Sequence, residues 1–307
     1  MRLSQSSLVF LLATGAVQAL SFDNISSNIR RGADVAVSSV KSTVHNLFDR
    51  QASARKSTCP KIWSQIGSDL RQAFVSGGQC NDDARAAIRL VFHDCISGAG
   101  CDGSIILAKE YLSTMLATAD MIAFAAASGI SACPGGPKIN ALVGRQDSYT
   151  PAPEGQIPSP KSSVTKLLSQ FAARGFSATD MAALVGAHTA AKQFFAVPQK
   201  AGQPLDSTPG TWDTKFYSQT LDGSAPVSLD SDVKISRDDR TSAAFQRFQS
   251  QAAWAAAFVP AMNQMTTIGN SGQSLVDCTS SIKSASRGVA IRAAPLADRV
   301  REAEEQK

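Results

Sequence analysis

A histidine does chemistry only where its neighbours hold it, and two of the three histidines in this 307-residue sequence have such neighbours. His93 closes the run Arg89-Leu90-Val91-Phe92-His93-Asp94-Cys95, with Arg89 four residues earlier. On a helix that spacing puts guanidinium and imidazole on one face, a cation beside a proton acceptor. His188 follows Met181, Leu184 and Val185, a stripe that turns it toward a core. A buried imidazole there needs a hydrogen-bonding partner. A lone histidine on such a face is more often a satisfied core residue than a ligand, and here the neighbours shift that balance. The third, His45, lies in a segment that reads as removable.

An oxygen-rich stretch follows each of these two histidines. After His93 come Asp94, Gly100, Asp102 and Ser104. After His188 come Thr189, Asp206, Thr208, Thr211 and Asp213. Carboxylates mixed with hydroxyl and carbonyl oxygens suit a hard cation, and calcium tolerates the flexible geometry. Taken alone, either stretch also reads as ordinary turn residues.

The elements that must position these groups read as helices. Apolar residues at three- and four-residue spacing predict helices over 69–76 and 83–92, broken between them by Gly77-Gly78. Residues 111–128 predict an Ala- and Met-rich helix stopping at Gly129, and 164–174 an amphipathic one ending at Gly175. Ser177-Ala178-Thr179-Asp180 is a capping box whose helix runs past His188. Residues 241–265 predict one long helix. Strand-like alternation is scarce and no internal repeat is visible, so the fold class is all-α. The Pro-rich stretch 151–160 is the boundary candidate between two helical halves.

Composition narrows the function classes. The chain is 43% hydrophobic and 18% charged with a net charge of +5, too balanced for disorder or a membrane protein. Basic residues do not gather with aromatics, which argues against a nucleic-acid partner. Met1-Arg2, the apolar run 8–16 and Val17-Gln18-Ala19 read as a secretory signal cut after Ala19, so residues 1–19 are assigned to it. That run is too short to span a bilayer, and no later one reaches about 18 apolar residues. Residues 20–56 read as a pro-segment or loose arm, with Arg30-Arg31, Arg55-Lys56 and the sequon Asn24-Ile25-Ser26. Folded sequence starts near Cys59. Six cysteines in an oxidising compartment favour three disulfides, of which fifteen arrangements are possible. Cys95 and Cys101 flank a short Gly-rich loop and could close on each other.

The run around His93 and the run Ala183-Leu184-Val185-Gly186-Ala187-His188-Thr189 together resemble the distal and proximal signatures of secreted haem peroxidases, with the fungal secreted class the nearest match. The resemblance extends from about Cys59 to Cys278. It implies two helical domains, 57–160 and 161–285, sandwiching a haem b, with 286–307 as a C-terminal tail. His188 would be the axial iron ligand. Asp232, in Ser231-Asp232-Val233-Lys234, would accept a bond from that imidazole and raise its basicity. His93 would be the general base toward hydrogen peroxide, Arg89 would stabilise the charge that develops as the O–O bond breaks, and Phe92 would pack over the haem. The two oxygen-rich stretches match a distal and a proximal calcium site, two Ca²⁺ in all.

The resemblance also implies pairings: Cys80 with Cys133 as in the family, and Cys95 with Cys101 as in plant secretory peroxidases. Cys59 and Cys278 are left to each other, because Ala243 stands where the usual partner of Cys278 would be. Two departures bear on activity. The family's connection after the Asp-Gly-Ser loop is shortened at 105–110, and no Asn lies between Ser104 and Asn140 to orient the distal histidine. The manganese-binding acids fall on Asp82, Ala86 and Phe194, and the surface Trp of lignin peroxidases on Ala183. The expectation is a secreted monomer that reduces hydrogen peroxide and oxidises small phenols or dyes. The alternative is a haem-binding relative with impaired turnover. A zinc hydrolase using His93, Cys95 and Cys101 is the remaining reading, and secretion disfavours it by favouring oxidised cysteines.

Overall fold

The structure, a computed structural model, describes residues 58–98, 100–107 and 118–283. The proposed signal, pro-segment and tail lie outside the described residues, as do residues 108–117, the end of the shortened connection and the start of the helix expected over 111–128. The described residues all fall in one compact unit, Thr58–Ala285. It is built from nine α-helices among the described residues: α1 (Ile62–Phe74), α2 (Asp82–Ile96), α3 (Thr118–Ala132), α4 (Val164–Ala172), α5 (Ala178–Val185), α6 (Lys215–Asp222), α7 (Asp230–Arg237), α8 (Ser242–Arg247) and α9 (Gln251–Met265). The fold is all-α, as the sequence predicts. Four two-residue strands make two small antiparallel pairs, β1 (Val75–Ser76) with β2 (Gln79–Cys80) and, from distant parts of the chain, β3 (Leu142–Val143) with β4 (Val276–Asp277).

Several sequence expectations shift in instructive ways. The first helix starts at Ile62 rather than 69, because its buried face includes Trp63 and Gly67 ahead of Phe74. Gly77 and Gly78 both have positive φ (59° and 78°), the two-residue turn that matches strand twist, so the break is a β-hairpin. The helix expected to stop at Gly129 continues to Ala132. A Cβ at Gly129 would lie 2.9 Å from the Ala84 carbonyl oxygen and 3.3 Å from Ile88. This glycine lets α3 approach α2 closely, and packing outweighs its low helix propensity. The pattern over 241–265 splits into α8 and α9, with Ser250 extended (ψ 119°) between them and accepting a bond from the Ala253 N–H.

The core that supports the second half of the unit is aromatic. Trp212 and Trp254 stack with ring centres 5.2 Å apart, and Phe258 meets both edge-on. Phe216, Tyr217, Phe245 and Phe248 continue the cluster and are wholly buried. Helix α9 packs on α5 and on α2, joining the segments that lead to His188 and carry His93. Disulfides join Cys59 to Cys278, Cys80 to Cys133 and Cys95 to Cys101, and no cysteine of the described residues is free. The zinc reading loses two of its ligands to the last of these bonds.

Candidate active site

Helix α2 presents the first pair. Asn81 caps it, its side-chain oxygen accepting from the Asp83 and Ala84 N–H groups at 3.1 and 3.2 Å. Two turns on, Arg89 Nε donates to His93 Nε2 at 3.3 Å. The accepting nitrogen carries the lone pair, so the ring proton of His93 sits on Nδ1. Burial, and after it the Arg89 charge, hold the His93 imidazole down at about 3. Burial also lowers Arg89 from its ordinary value, but a guanidinium stays charged. The result is a neutral proton acceptor beside a fixed cation. Phe92 stacks on Phe171 of α4 at 6.1 Å and meets His93 edge-on at 6.1 Å, walling one side of the pair.

His188 lies beyond α5. That helix opens with the capping box: Ser177 Oγ accepts from Asp180 N–H at 3.1 Å and Asp180 returns a bond to Ser177 N–H at 2.9 Å. It does not run past His188 as an α-helix. At Gly186 it tightens to a 3₁₀ turn, Gly186–Ala190. Tyr217 Oη donates to the Ala182 carbonyl and Trp254 Nε1 to the Ala183 carbonyl, each at 2.9 Å. The Gly186 N–H bonds to Ala183 O, three residues back, the same carbonyl that accepts from Trp254. A Cβ at Gly186 would collide with the Tyr217 hydroxyl and come within 2.6 Å of Trp254 Nε1. Glycine is therefore required where the turn tightens.

The tightened turn delivers His188 to Asp232 of α7, whose Oδ2 accepts from His188 Nδ1 at 3.0 Å. Asp232 is wholly buried, while the His188 side chain is 32% exposed. Phe216 supports the imidazole edge-on at 5.5 Å, and Ser231 Oγ donates to the other oxygen of Asp232 at 3.3 Å. With Nδ1 committed to a buried carboxylate, Nε2 is the atom that can bind a metal, and the carboxylate raises its basicity. This donor set fits a haem iron, which His188 would hold through Nε2.

The oxygen-rich stretches come together in two groups. Asp94, wholly buried, accepts from Gly103 N–H at 3.0 Å and Ile105 N–H at 3.3 Å. Burial outweighs those bonds and pushes its carboxyl up to about 7. Ser104 Oγ is buried with no hydrogen-bond partner, and Asp102 Oδ1 accepts from the Ser104 N–H. Gly100 has φ 127° and lies against the Ile268 backbone, its carbonyl accepting from Asp102 N–H. In the second group Thr189 Oγ1 donates to Asp206 Oδ2 at 2.5 Å and Thr208 Oγ1 to Asp213 Oδ2 at 2.8 Å. Burial raises the Asp206 carboxyl, and Asp213 raises it further. Thr211 N–H bonds Thr208 O, closing the loop. Among the described residues no three His, Cys, Asp or Glu side chains form a metal cluster, so each group offers two carboxylates plus hydroxyl and carbonyl oxygens.

Comparison with known proteins joins these observations. The peroxidase family model matches residues 109–251. Manganese peroxidase 3 of Phlebia radiata is 33% identical over 267 residues, covering 70% of this chain and 74% of its own length. The chain belongs to the fungal class II peroxidase family. Other members it resembles are a peroxidase of Arthromyces ramosus, 30% identical over 298 residues and covering 80% of each chain, and versatile peroxidase VPS1 of Pleurotus eryngii, 28% identical over 313 residues, covering 81% of this chain and 82% of that one. It is a haem peroxidase, an enzyme that acts on hydrogen peroxide and a reducing substrate.

The supports that local sequence reading missed are Phe216, Tyr217 and Trp254. They come from helices 28 to 66 residues beyond His188 along the chain, and aromatic content alone does not reveal which carbonyl each will reach.

Proposed function

We propose that this class II peroxidase is secreted, cut after Ala19, and oxidises small phenolic or dye-like donors at the haem edge in one-electron steps. His188 Nε2 would hold the iron of haem b, with Asp232 behind it. Bound haem supplies the redox centre that takes oxidising equivalents from peroxide and returns them to donors. The chain supplies the proton chemistry. His93 Nε2 accepts the proton of an incoming peroxide and returns it to the departing oxygen, while Arg89 stabilises the negative charge on that oxygen. The observation that carries this reading is the Arg89–His93 bond, which fixes the Nε2 lone pair beside the cation on one helix face, where an incoming peroxide would take the place of Arg89 on that nitrogen.

The donor class is argued from what replaces a manganese site. Asp82 is engaged by Lys192 Nζ at 2.9 Å and by Arg85 Nη2 at 2.7 Å. Those hydrogen bonds outweigh the burial that pushes the other way and hold its carboxyl below the ordinary value. With Ala86 and Phe194 in the other two places, no carboxylate is left to share a divalent cation. The two oxygen-rich groups would each hold a Ca²⁺, the first through Asp94, Gly100, Asp102 and Ser104, the second through Thr189, Asp206, Thr208, Thr211 and Asp213. The orphaned Ser104 hydroxyl and the elevated Asp94 and Asp206 support this. The enzyme would act as a monomer with a distal half to residue 160 and a proximal half after it.

The test is rapid mixing of the haem-loaded protein with hydrogen peroxide, followed at the Soret band, then addition of a phenol or of Mn²⁺. A fast drop restored by phenol and not by Mn²⁺ is expected. Restoration by Mn²⁺ at the phenol rate overturns the donor class. A stable Soret band that responds slowly would select the second reading, a haem-binding relative with impaired turnover. What favours that reading is that His93 Nδ1 has no hydrogen-bond partner among the described residues.

A further inference from the structure

Three tyrosines occur in the chain, and their settings differ sharply. Tyr217 is wholly buried in the aromatic core, Tyr111 lies outside the described residues, and Tyr149 is 95% exposed. Tyr149 stands at the tip of a pinned loop. Ser148 Oγ accepts from Thr150 N–H at 3.1 Å and donates to Thr150 O at 2.8 Å, a small turn with the tyrosine at its centre. Ser148 N–H bonds the Asp102 carbonyl at 2.7 Å. Farther along, Ala152 and Pro153 pack against Gly98, where an added Cβ would lie 3.2 Å from Pro153. Both anchors follow directly on the helix that carries His93. From Ser148 to Pro153 the loop bears no charged side chain, so two such tips meet without repulsion between like charges.

We propose that Tyr149 is an oxidation site of the protein itself, coupling to Tyr149 of a second copy through a dityrosine bond during turnover without donor. The inference rests on the phenol-oxidising reading above, since an exposed tyrosine is chemically a phenol. Each of two Tyr149 side chains loses its O–H hydrogen as a proton and an electron. The two electrons and two protons reduce one hydrogen peroxide to two waters. The two phenoxyl radicals then join ring carbons beside the oxygens, and the hydrogens of those carbons move to the oxygens to restore both phenols. Small donors in excess compete for the same oxidising equivalents and suppress the link.

The experiment treats the haem-loaded full chain with hydrogen peroxide alone, and measures covalent dimer on a denaturing gel, dityrosine fluorescence and the linked peptides by mass spectrometry. Phenol turnover is assayed on the same preparation. A dimer whose cross-link joins two Tyr149 peptides, suppressed by added phenol and lost in Tyr149→Phe with phenol turnover unchanged, is the expected result. No dimer despite phenol turnover, a link mapped to Tyr111 or Tyr217, or a dimer that persists in Tyr149→Phe overturns it. A parallel arm adds a separate, active plant peroxidase as the phenol oxidant. If the protein's own phenol turnover is absent and this arm still links Tyr149, the phenol-oxidising reading fails while Tyr149 stands as the oxidation site. If this arm gives no link either, both fall.

Discussion

At the distal pair one hydrogen bond decides which nitrogen can act. Arg89 donates to His93 Nε2, so that atom is the base, and burial together with the Arg89 charge keeps it unprotonated down to about pH 3. The rate of peroxide reduction is therefore expected to stay level as pH falls through 6.5, the ordinary imidazole value, and to drop only near 3 as His93 takes up its proton. A stopped-flow pH series checks this, and a midpoint near 6.5 would contradict it. Linkage has the matching sign. Between about 3 and 6.5 the unfolded chain binds a proton that folded His93 does not, so this group's contribution to stability falls as pH falls. His93→Ala is expected to slow peroxide reduction by about 10²–10⁴-fold, the usual worth of a positioned base. On the other side Asp232 acts through His188. Asp232→Asn is expected to raise the iron reduction potential and to lower turnover by about 10–100-fold. Potentiometry separates this from a loss of folding.

At the scale of elements, the decisive feature is the change from α-helix to 3₁₀ turn at Gly186. Two side chains from outside α5 take backbone carbonyls of its last turn, and glycine leaves room for both. Gly186→Ala forces a methyl against buried Tyr217 and Trp254, an overpacking expected to cost about 1–3 kcal/mol in denaturant unfolding. Because the turn aims His188, the variant should also bind haem more weakly at a temperature where it remains folded, measured by Soret titration. The capping box that opens α5 was legible in four consecutive residues, because a cap is a local hydrogen-bonding pattern. The end of that helix was not, because the groups that close it arrive from α6 and α9. Gly129 makes the same point from the other side. In sequence it reads as a stop, yet it is the contact point of α2 and α3 inside a continuous helix.

For the whole molecule, the ties that close long stretches of chain matter most. The Cys59–Cys278 bond spans a sequence separation of 219 and brings the start of α1 against the segment after β4. Replacing both cysteines by serine is expected to lower stability by about 2–5 kcal/mol, chiefly by releasing the unfolded chain, and guanidinium unfolding measures it. Calcium is expected to act in the same direction from the folded side. An ion held at 100 times its dissociation constant adds about 2.7 kcal/mol per site, so chelation should lower the melting temperature and added Ca²⁺ restore it. Ser104→Ala should shrink that calcium response, because it removes the buried hydroxyl that has no protein partner.

Residue order alone determined the helical class, the i, i+4 partnership of Arg89 and His93, and the oxygen-rich character of the loops after both histidines. All three depend on local periodicity and residue chemistry, which neighbours in sequence carry. Tertiary structure decided the rest: that Asp232 is wholly buried 3.0 Å from His188, that Phe171 backs Phe92, and that Lys192 and Arg85 occupy Asp82. Apart from the Arg85–Asp82 pair, three residues apart on α2, each of those contacts joins groups far apart in sequence. Their distance, burial and charge state exist only once the chain has closed on itself.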